Sequence, residues 1–152
     1  MFTDTSALVV QILANIAKRL EDLHAAGYAH RDLKPANVMW LPRENLWTLI
    51  DFGCASKIGS RCTLSFTLTY AAPETVAALK RSAPHVISSP ATDAWALGVM
   101  MYELLTGHKA FSGICDGHTV VRPHLAVPVC SGSEPGTSAS VLSSTFSQHV
   151  WE

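Results

Sequence analysis

Residues 30–51 include six polar or charged side chains whose types could do chemistry together. They are His30, Arg31, Asp32, Lys34, Asn37 and Asp51. Two of them carry carboxylates and one carries an amide, and such oxygen atoms are the ligands that a hard divalent cation prefers. The lysine adds a compact positive charge that suits an anionic ligand. The cluster therefore has the residue types needed to bind a divalent cation together with a charged ligand.

The segments that flank this cluster predict elements that would bring its two ends together. Apolar residues recur at helical spacing over residues 4–26, which predicts one amphipathic helix. Its apolar stripe consists of Val9, Ile12, Leu13, Ile16, Leu20 and Leu23. Two β-prone runs, residues 38–41 and 46–50, are joined by the turn-forming sequence PREN. Because a hairpin returns the chain to its starting edge, Asp51 should lie beside the polar loop.

The second half of the chain predicts two more helices and an irregular tail. Pro73 can begin a short helix. Residues 91–107 are apolar on nearly every side, which predicts a helix inside the domain, capped by Thr92 and ended by Gly107. Residues 114–152 are rich in Ser, Gly and Pro and show no sustained period, so we expect a disordered tail. The predicted fold is mainly α-helical with a small β-hairpin.

Composition argues against several classes of function. Of the 152 residues, 48% are hydrophobic and 15% are charged, so most of the chain should fold. The formal net charge of -1 offers no basic surface for nucleic acid. The four cysteines contain no CxxC pair, which argues against a zinc site. The chain shows no basic leader and no apolar run long enough for a bilayer, so we expect an intracellular, cytoplasmic protein without a membrane partner.

Four short motifs carry a resemblance to a known family. They are HRDLKPAN at residues 30–37, DFG at 51–53, AAPE at 71–74 and DAWALG at 93–98. In this order and spacing they resemble the C-terminal lobe of a eukaryotic-type protein kinase. Lys34, two residues after Asp32, is typical of the serine/threonine class. The resemblance predicts a partial protein kinase domain over residues 1–113, with ATP and Mg²⁺ as cofactors and a protein as substrate.

The resemblance also implies roles for single residues of the polar cluster. Asp51 and Asn37 would bind Mg²⁺ at the nucleotide phosphates, with oxygen ligands of the kind this ion takes. Asp32 would accept the proton of the incoming hydroxyl. Lys34 would lie beside the transferred phosphoryl group, and Thr67 would hydrogen-bond both Asp32 and Lys34. We expect these residues to form one catalytic site.

Further residues receive nucleotide-binding, structural or regulatory roles from the same resemblance. Met39 would form the apolar floor under the adenine ring, although a strand methionine is more often core filler. His30 and Phe52 would pack in the core, and Asp93 would hold the backbone of the polar loop. Arg31 would pair with a phosphate on the hydroxyl-rich segment that follows the DFG motif, at Ser60, Thr63 or Ser65. Glu74 lacks an evident buried partner, so it is either exposed or satisfied elsewhere.

One part of the kinase pattern is missing from this sequence. The residues before position 5 hold no G-x-G-x-x-G loop, no strand lysine in a V-A-I-K context and no helix with a partner glutamate, which together would clamp the nucleotide. We therefore expect the N-terminal β lobe to be absent. Two functions stay open: a serine/threonine kinase, and a non-catalytic kinase-like module that binds a partner through the surface around Met39 and the helix over residues 4–26. The sequence leaves the oligomeric state open.

Overall fold

The computed structural model describes residues 5–111 and 118–120. Within these residues the α-helices are α1 Thr5–Ala25, α2 Pro73–Lys80 and α3 Pro90–Thr106. The short strands are β1 Tyr28–Ala29, β2 Val38–Leu41, β3 Leu46–Leu49, β4 Ser56–Lys57, β5 Arg61–Cys62, β6 Ser65–Thr67, β7 Val86–Ile87 and β8 His118–Val120. Pro35–Asn37 and Leu68–Tyr70 form single 3₁₀ turns. The mainly helical prediction with a small hairpin is confirmed, and three further two-stranded pairs accompany the hairpin in the described part.

The apolar stripe of α1 forms the centre of the core, as its spacing predicts. Ile12, Ile16 and Leu20 are buried against Leu33 of the polar loop and Met100 of α3. Gly27 follows the helix in the left-handed conformation with φ 87° and turns the chain towards β1. The stripe thereby joins the first helix, the polar loop and the third helix in one cluster.

The hairpin forms with the predicted strands and is attached to α1. Val38 of β2 pairs with Leu49 of β3, and Leu41 pairs with Leu46 across the turn. The backbone N–H of Trp47 donates to Asn15 Oδ1 at 2.9 Å, so a polar side chain within the apolar part of α1 anchors β3. The hairpin is therefore held at a defined position against the helix.

Helix α3 differs from the prediction in its start and in its burial. Ser89, rather than Thr92, is the cap, because its side chain accepts a hydrogen bond from the Ala91 N–H at 3.2 Å. Gly107 ends the helix with φ 70°, as predicted. The expectation that α3 lies wholly inside the domain is wrong for its outer face, which exposes Trp95, Met101, Tyr102 and Leu105 in the described structure. The reason is that α1 packs on the opposite side of the helix.

Part of the predicted tail lies outside the described residues. Of the irregular segment 114–152, the structure describes the strand β8 alone, and this strand pairs with β6. In the described part of the chain, no helix combines the length and the hydropathy that a bilayer span requires.

Truncation of Ile16 should show how much the α1 stripe stabilises the fold. Ile16 is fully buried, so Ile16→Ala should lower the free energy of unfolding by about 2–5 kcal/mol through lost burial and a residual cavity. The matched control is Val10→Ala on the same helix, whose side chain is 63% exposed and whose loss should change stability by less than about 0.5 kcal/mol. Urea unfolding followed by circular dichroism measures both. Equal losses in the two variants would contradict this packing.

Candidate active site

The polar loop after β1 is held in place by a buried carboxylate on α3. Asp93, which is 1% exposed, accepts hydrogen bonds from the backbone N–H groups of His30 at 2.8 Å and Arg31 at 2.7 Å. His24 Nε2 lies 2.8 Å from the same carboxylate. The loop needs this support because Arg31 has φ 70°, a conformation that a non-glycine residue adopts only when its surroundings hold it. Asp93 therefore fixes the backbone on which the predicted site residues stand.

Three predicted site residues form a closed triangle of hydrogen bonds. Lys34 Nζ donates to Asp32 Oδ2 at 2.8 Å and to Thr67 Oγ1 at 2.9 Å. Thr67 Oγ1 in turn donates to Asp32 Oδ1 at 2.7 Å. Lys34 is only 5% exposed, so its ammonium group is a buried charge that the carboxylate compensates. Thr67 is 35 positions from Asp32 in sequence, so this triangle joins the polar loop to the end of β6.

Asn37 and Asp51 meet at the open edge of the hairpin. The Asn37 side chain is buried and donates from Nδ2 to the Asp32 backbone oxygen at 2.8 Å. The Ile50 N–H donates to the Asn37 carbonyl at 3.0 Å and brings Asp51, the next residue, to the same edge. Asp51 is exposed, has φ 61° and accepts a hydrogen bond from the Gly53 N–H at 3.2 Å. The predicted convergence of Asp51 and the polar loop is thus present.

The oxygen donors at this edge are suited to one kind of cation. Among the residues that the structure describes, no group of three or more His, Cys, Asp or Glu side chains could hold a metal ion. Magnesium is commonly bound by one or two protein oxygens and completes its shell with water and phosphate oxygens. The Asp51 carboxylate and the Asn37 amide oxygen fit such a shared cation.

The family comparison agrees with this geometry. The pattern of the family described as "Protein kinase domain" matches residues 3–144. This chain belongs to the protein kinase family. The match continues past Gly113, where the motif resemblance ends.

Relatives and a solved structure support the serine/threonine class and the kinase fold. The chain is 41% identical over 105 residues to cGMP-dependent protein kinase 2 of Homo sapiens, a match that covers 67% of this chain and 13% of that protein. It is 34% identical over 141 residues to serine/threonine-protein kinase 16 of Mus musculus, covering 82% and 45%. The kinase PK-1 of Cydia pomonella granulovirus is similar in structure, with a TM-score of 0.58 and 25% identity over 68% of this chain and 36% of that one. The chain thus spans less than half of each relative.

Two residues of the predicted kinase site are more exposed than core residues would be. Phe52 is 51% exposed and contacts the buried ring of His30 at a centroid distance of 5.2 Å, so the expectation that Phe52 packs in the core is wrong. The contact with His30 leaves about half of the Phe52 side chain uncovered by the described residues. Met39 is 41% exposed on β2 and does not belong to the core cluster. Its placement under an adenine ring stays a prediction.

The Arg31 guanidinium joins the polar loop to the segment that follows the DFG motif. Arg31 Nη1 donates to the Cys54 carbonyl at 3.1 Å, and Nη2 donates to the Thr63 carbonyl at 2.5 Å. The predicted phosphate partner of Arg31 stays untested. In the described structure these bonds attach the segment that contains β4 and β5 to the polar loop.

The sequence analysis missed a buried pair behind the kinase site. Tyr70 donates from its hydroxyl to Glu103 Oε2 at 2.5 Å, and Glu103 on α3 is only 3% exposed. An acidic residue in the apolar second half of α3 was the signal that could have identified it. Glu74, by contrast, is exposed, so one of the two predicted alternatives for it is confirmed.

A void of about 20 Å³ lies between the polar loop, β6 and α2. Its walls include Asp32, Phe66, Thr67, Tyr70 and Thr75. A space of this size holds about one water molecule.

Proposed function

We propose that the chain is part of a serine/threonine protein kinase that transfers a phosphoryl group from ATP to hydroxyl groups of an intracellular protein. In this proposal residues 1–113 correspond to the helical C-terminal lobe of the family. The observation that carries it is the triangle of Asp32, Lys34 and Thr67, which lies beside the oxygen donors of Asn37 and Asp51. Phosphoryl transfer needs positioned groups and charge compensation more than covalent chemistry from the protein.

Each residue of the triangle has a distinct part in this reaction. The Asp32 carboxylate orients the substrate hydroxyl and accepts its proton as the oxygen forms its bond to phosphorus. Lys34 is held within 2.8 Å of Asp32, so its positive charge lies where the transferred group would collect negative charge. Thr67 donates to Asp32 and accepts from Lys34, and so holds the two charged groups in fixed positions relative to each other.

The cofactor contacts are assigned to the hairpin edge. Asp51 and Asn37 would hold Mg²⁺, and Met39 would contact the adenine ring of ATP. When bound, Mg²⁺ neutralises charge on the phosphate oxygens. The protein supports this binding by presenting the Asp51 carboxylate on an exposed edge, where water and phosphate can complete the coordination of the ion.

A second function, a non-catalytic kinase-like module that binds a partner protein, is favoured by a specific observation. The described surface exposes large apolar side chains, including Met39 beside the candidate site and Val10 on α1. Exposed large apolar side chains are one feature of protein interaction sites. This alternative predicts partner binding without any requirement for Mg²⁺ or ATP.

Magnesium-dependent nucleotide binding separates the two functions. Isothermal titration of the full chain with ATP should show binding in the presence of Mg²⁺. The affinity for ATP should fall by about tenfold or more when EDTA removes the cation, and also in Asp51→Ala, where the cation loses its carboxylate ligand. The matched control is Asp22→Ala, whose exposed carboxylate on α1 lies 3.3 Å from Lys18 and outside the site. An ATP affinity that is unchanged by EDTA and by Asp51→Ala would favour the interaction module.

A further inference from the structure

The strand β8 lies directly beside the candidate catalytic site. It pairs antiparallel with β6, with Ser65 opposite Val120, Phe66 opposite Thr119 and Thr67 opposite His118. Thr67, at the end of β6, is also a member of the catalytic triangle. The ladder between β6 and β8 therefore ends at the catalytic residues.

The spacing of a strand pair shows how near β8 comes. Cα atoms of directly opposed residues in an antiparallel pair are about 5 Å apart. His118 is thus within one strand spacing of Thr67, whose hydroxyl is 2.7 Å from Asp32. The backbone of β8 runs along β6, whose last residue, Thr67, donates to the proposed proton acceptor.

An edge such as that of β6 is a natural place for an extended peptide to bind. Unpaired N–H and C=O groups on a strand edge accept a further strand, and such main-chain pairing is a common way to recognise peptides. A peptide that presents a hydroxyl to Asp32 lies beside Thr67, which bonds Asp32, and the strand Ser65–Thr67 offers it an edge to pair with. In this chain, β8 occupies that edge.

We propose that β8 is an intramolecular competitor of the substrate, docked on the edge of β6 that an extended peptide would use. The inference rests on the proposed function, since the displaced ligand is the hydroxyl-bearing protein segment. A three-residue strand pairs weakly, so the competitor can be displaced.

A binding experiment tests this proposal without any need for catalysis. The probe is a fluorescein-labelled peptide of residues 116–124, titrated with the full chain and followed by anisotropy. The test protein is the double variant Thr119→Pro/Val120→Pro. Alternate residues of an antiparallel strand donate their N–H groups to the neighbouring strand, and proline has no N–H. One of two adjacent prolines must therefore remove a hydrogen bond from β8 to β6. Ser133→Pro is the matched control, a proline in the same tail beyond β8.

The double variant should bind the peptide about tenfold more tightly than the wild type and the control. In those two proteins the tethered β8 competes with the peptide at an effective concentration on the order of millimolar, and the double variant lacks this competitor. Equal affinity for all three proteins, or binding to none, would overturn the proposal. Thermal midpoints of the double variant and of Ser133→Pro should agree, which confirms that the core is intact.

A kinetic experiment keeps this inference separate from the proposed function. With dephosphorylated casein as substrate, the double variant should show an apparent KM about tenfold lower at unchanged kcat. Peptide binding as expected, with no transfer by any protein, supports the docked strand and contradicts the kinase function. Transfer at equal KM in all three proteins supports the kinase function and contradicts the docked strand.

Discussion

The Asp32→Asn variant should lose phosphoryl transfer by a factor of about 10²–10⁴, the usual contribution of a positioned general base. An amide keeps the size of the carboxylate but cannot accept the proton of the incoming hydroxyl. It also cannot accept equally well from Thr67 at 2.7 Å and from Lys34 at 2.8 Å, so Lys34 loses its compensating charge. The measurement is the initial rate of radiolabelled phosphate transfer from ATP to dephosphorylated casein.

Two controls make the Asp32 result specific. Asp22→Asn changes an exposed carboxylate on α1 in the same way and should transfer at the wild-type rate. ATP affinity in Mg²⁺ should stay close to wild type in Asp32→Asn, since the proposed cation ligands are Asp51 and Asn37. A variant that transfers phosphate at the wild-type rate would refute the assignment of Asp32 as base.

The Asp93→Ala variant should be less stable than wild type by about 3–5 kcal/mol, the typical effect of breaking a buried charged network. The substitution leaves the N–H groups of His30 and Arg31 without their carboxylate acceptor, along with the ring of His24. A buried donor without an acceptor costs its full desolvation energy. Urea unfolding monitored by tryptophan fluorescence measures the loss.

Two further variants serve as controls for Asp93→Ala, one a conservative change at Asp93 and the other a change at an exposed aspartate. Asp93→Asn keeps one oxygen acceptor and should lose less stability than Asp93→Ala, while its amide cannot serve all three donors. Asp22→Ala removes an exposed carboxylate, so its stability should change by less than about 0.5 kcal/mol. If Asp93→Ala were as stable as Asp22→Ala, Asp93 would not be what holds the loop.

Local patterns in the sequence predicted the elements that lie next to each other along the chain. The helical spacing of Ile12, Ile16 and Leu20 predicted α1 and its buried face. The two β-prone runs predicted the hairpin, which brings Asp51 to the edge beside Asn37. Both patterns depend on interactions over a few residues, where backbone geometry alone decides which side chains share a face.

The motif resemblance extended these predictions to more distant contacts. It implied that Thr67 would bond Asp32 and Lys34, and that Asp93 would hold the loop at His30. These pairs are 33–63 positions apart, and no periodicity relates them. The recurrence of the motifs in one family made them predictable, rather than any local rule.

The remaining features were decided by the tertiary structure alone. The pairing of β8 with β6 has no local signal, and Glu103 indicated a buried carboxylate on α3 without indicating its partner Tyr70, because each contact depends on how distant segments pack. The exposed position of Phe52 also had no local signal, and the exposed outer face of α3 follows from which side α1 covers. The sequence by itself determined the helices, the hairpin and the chemical groups of the site. Packing decided which of those groups meet and which surfaces stay open, because long-range contacts depend on the whole fold rather than on neighbouring residues.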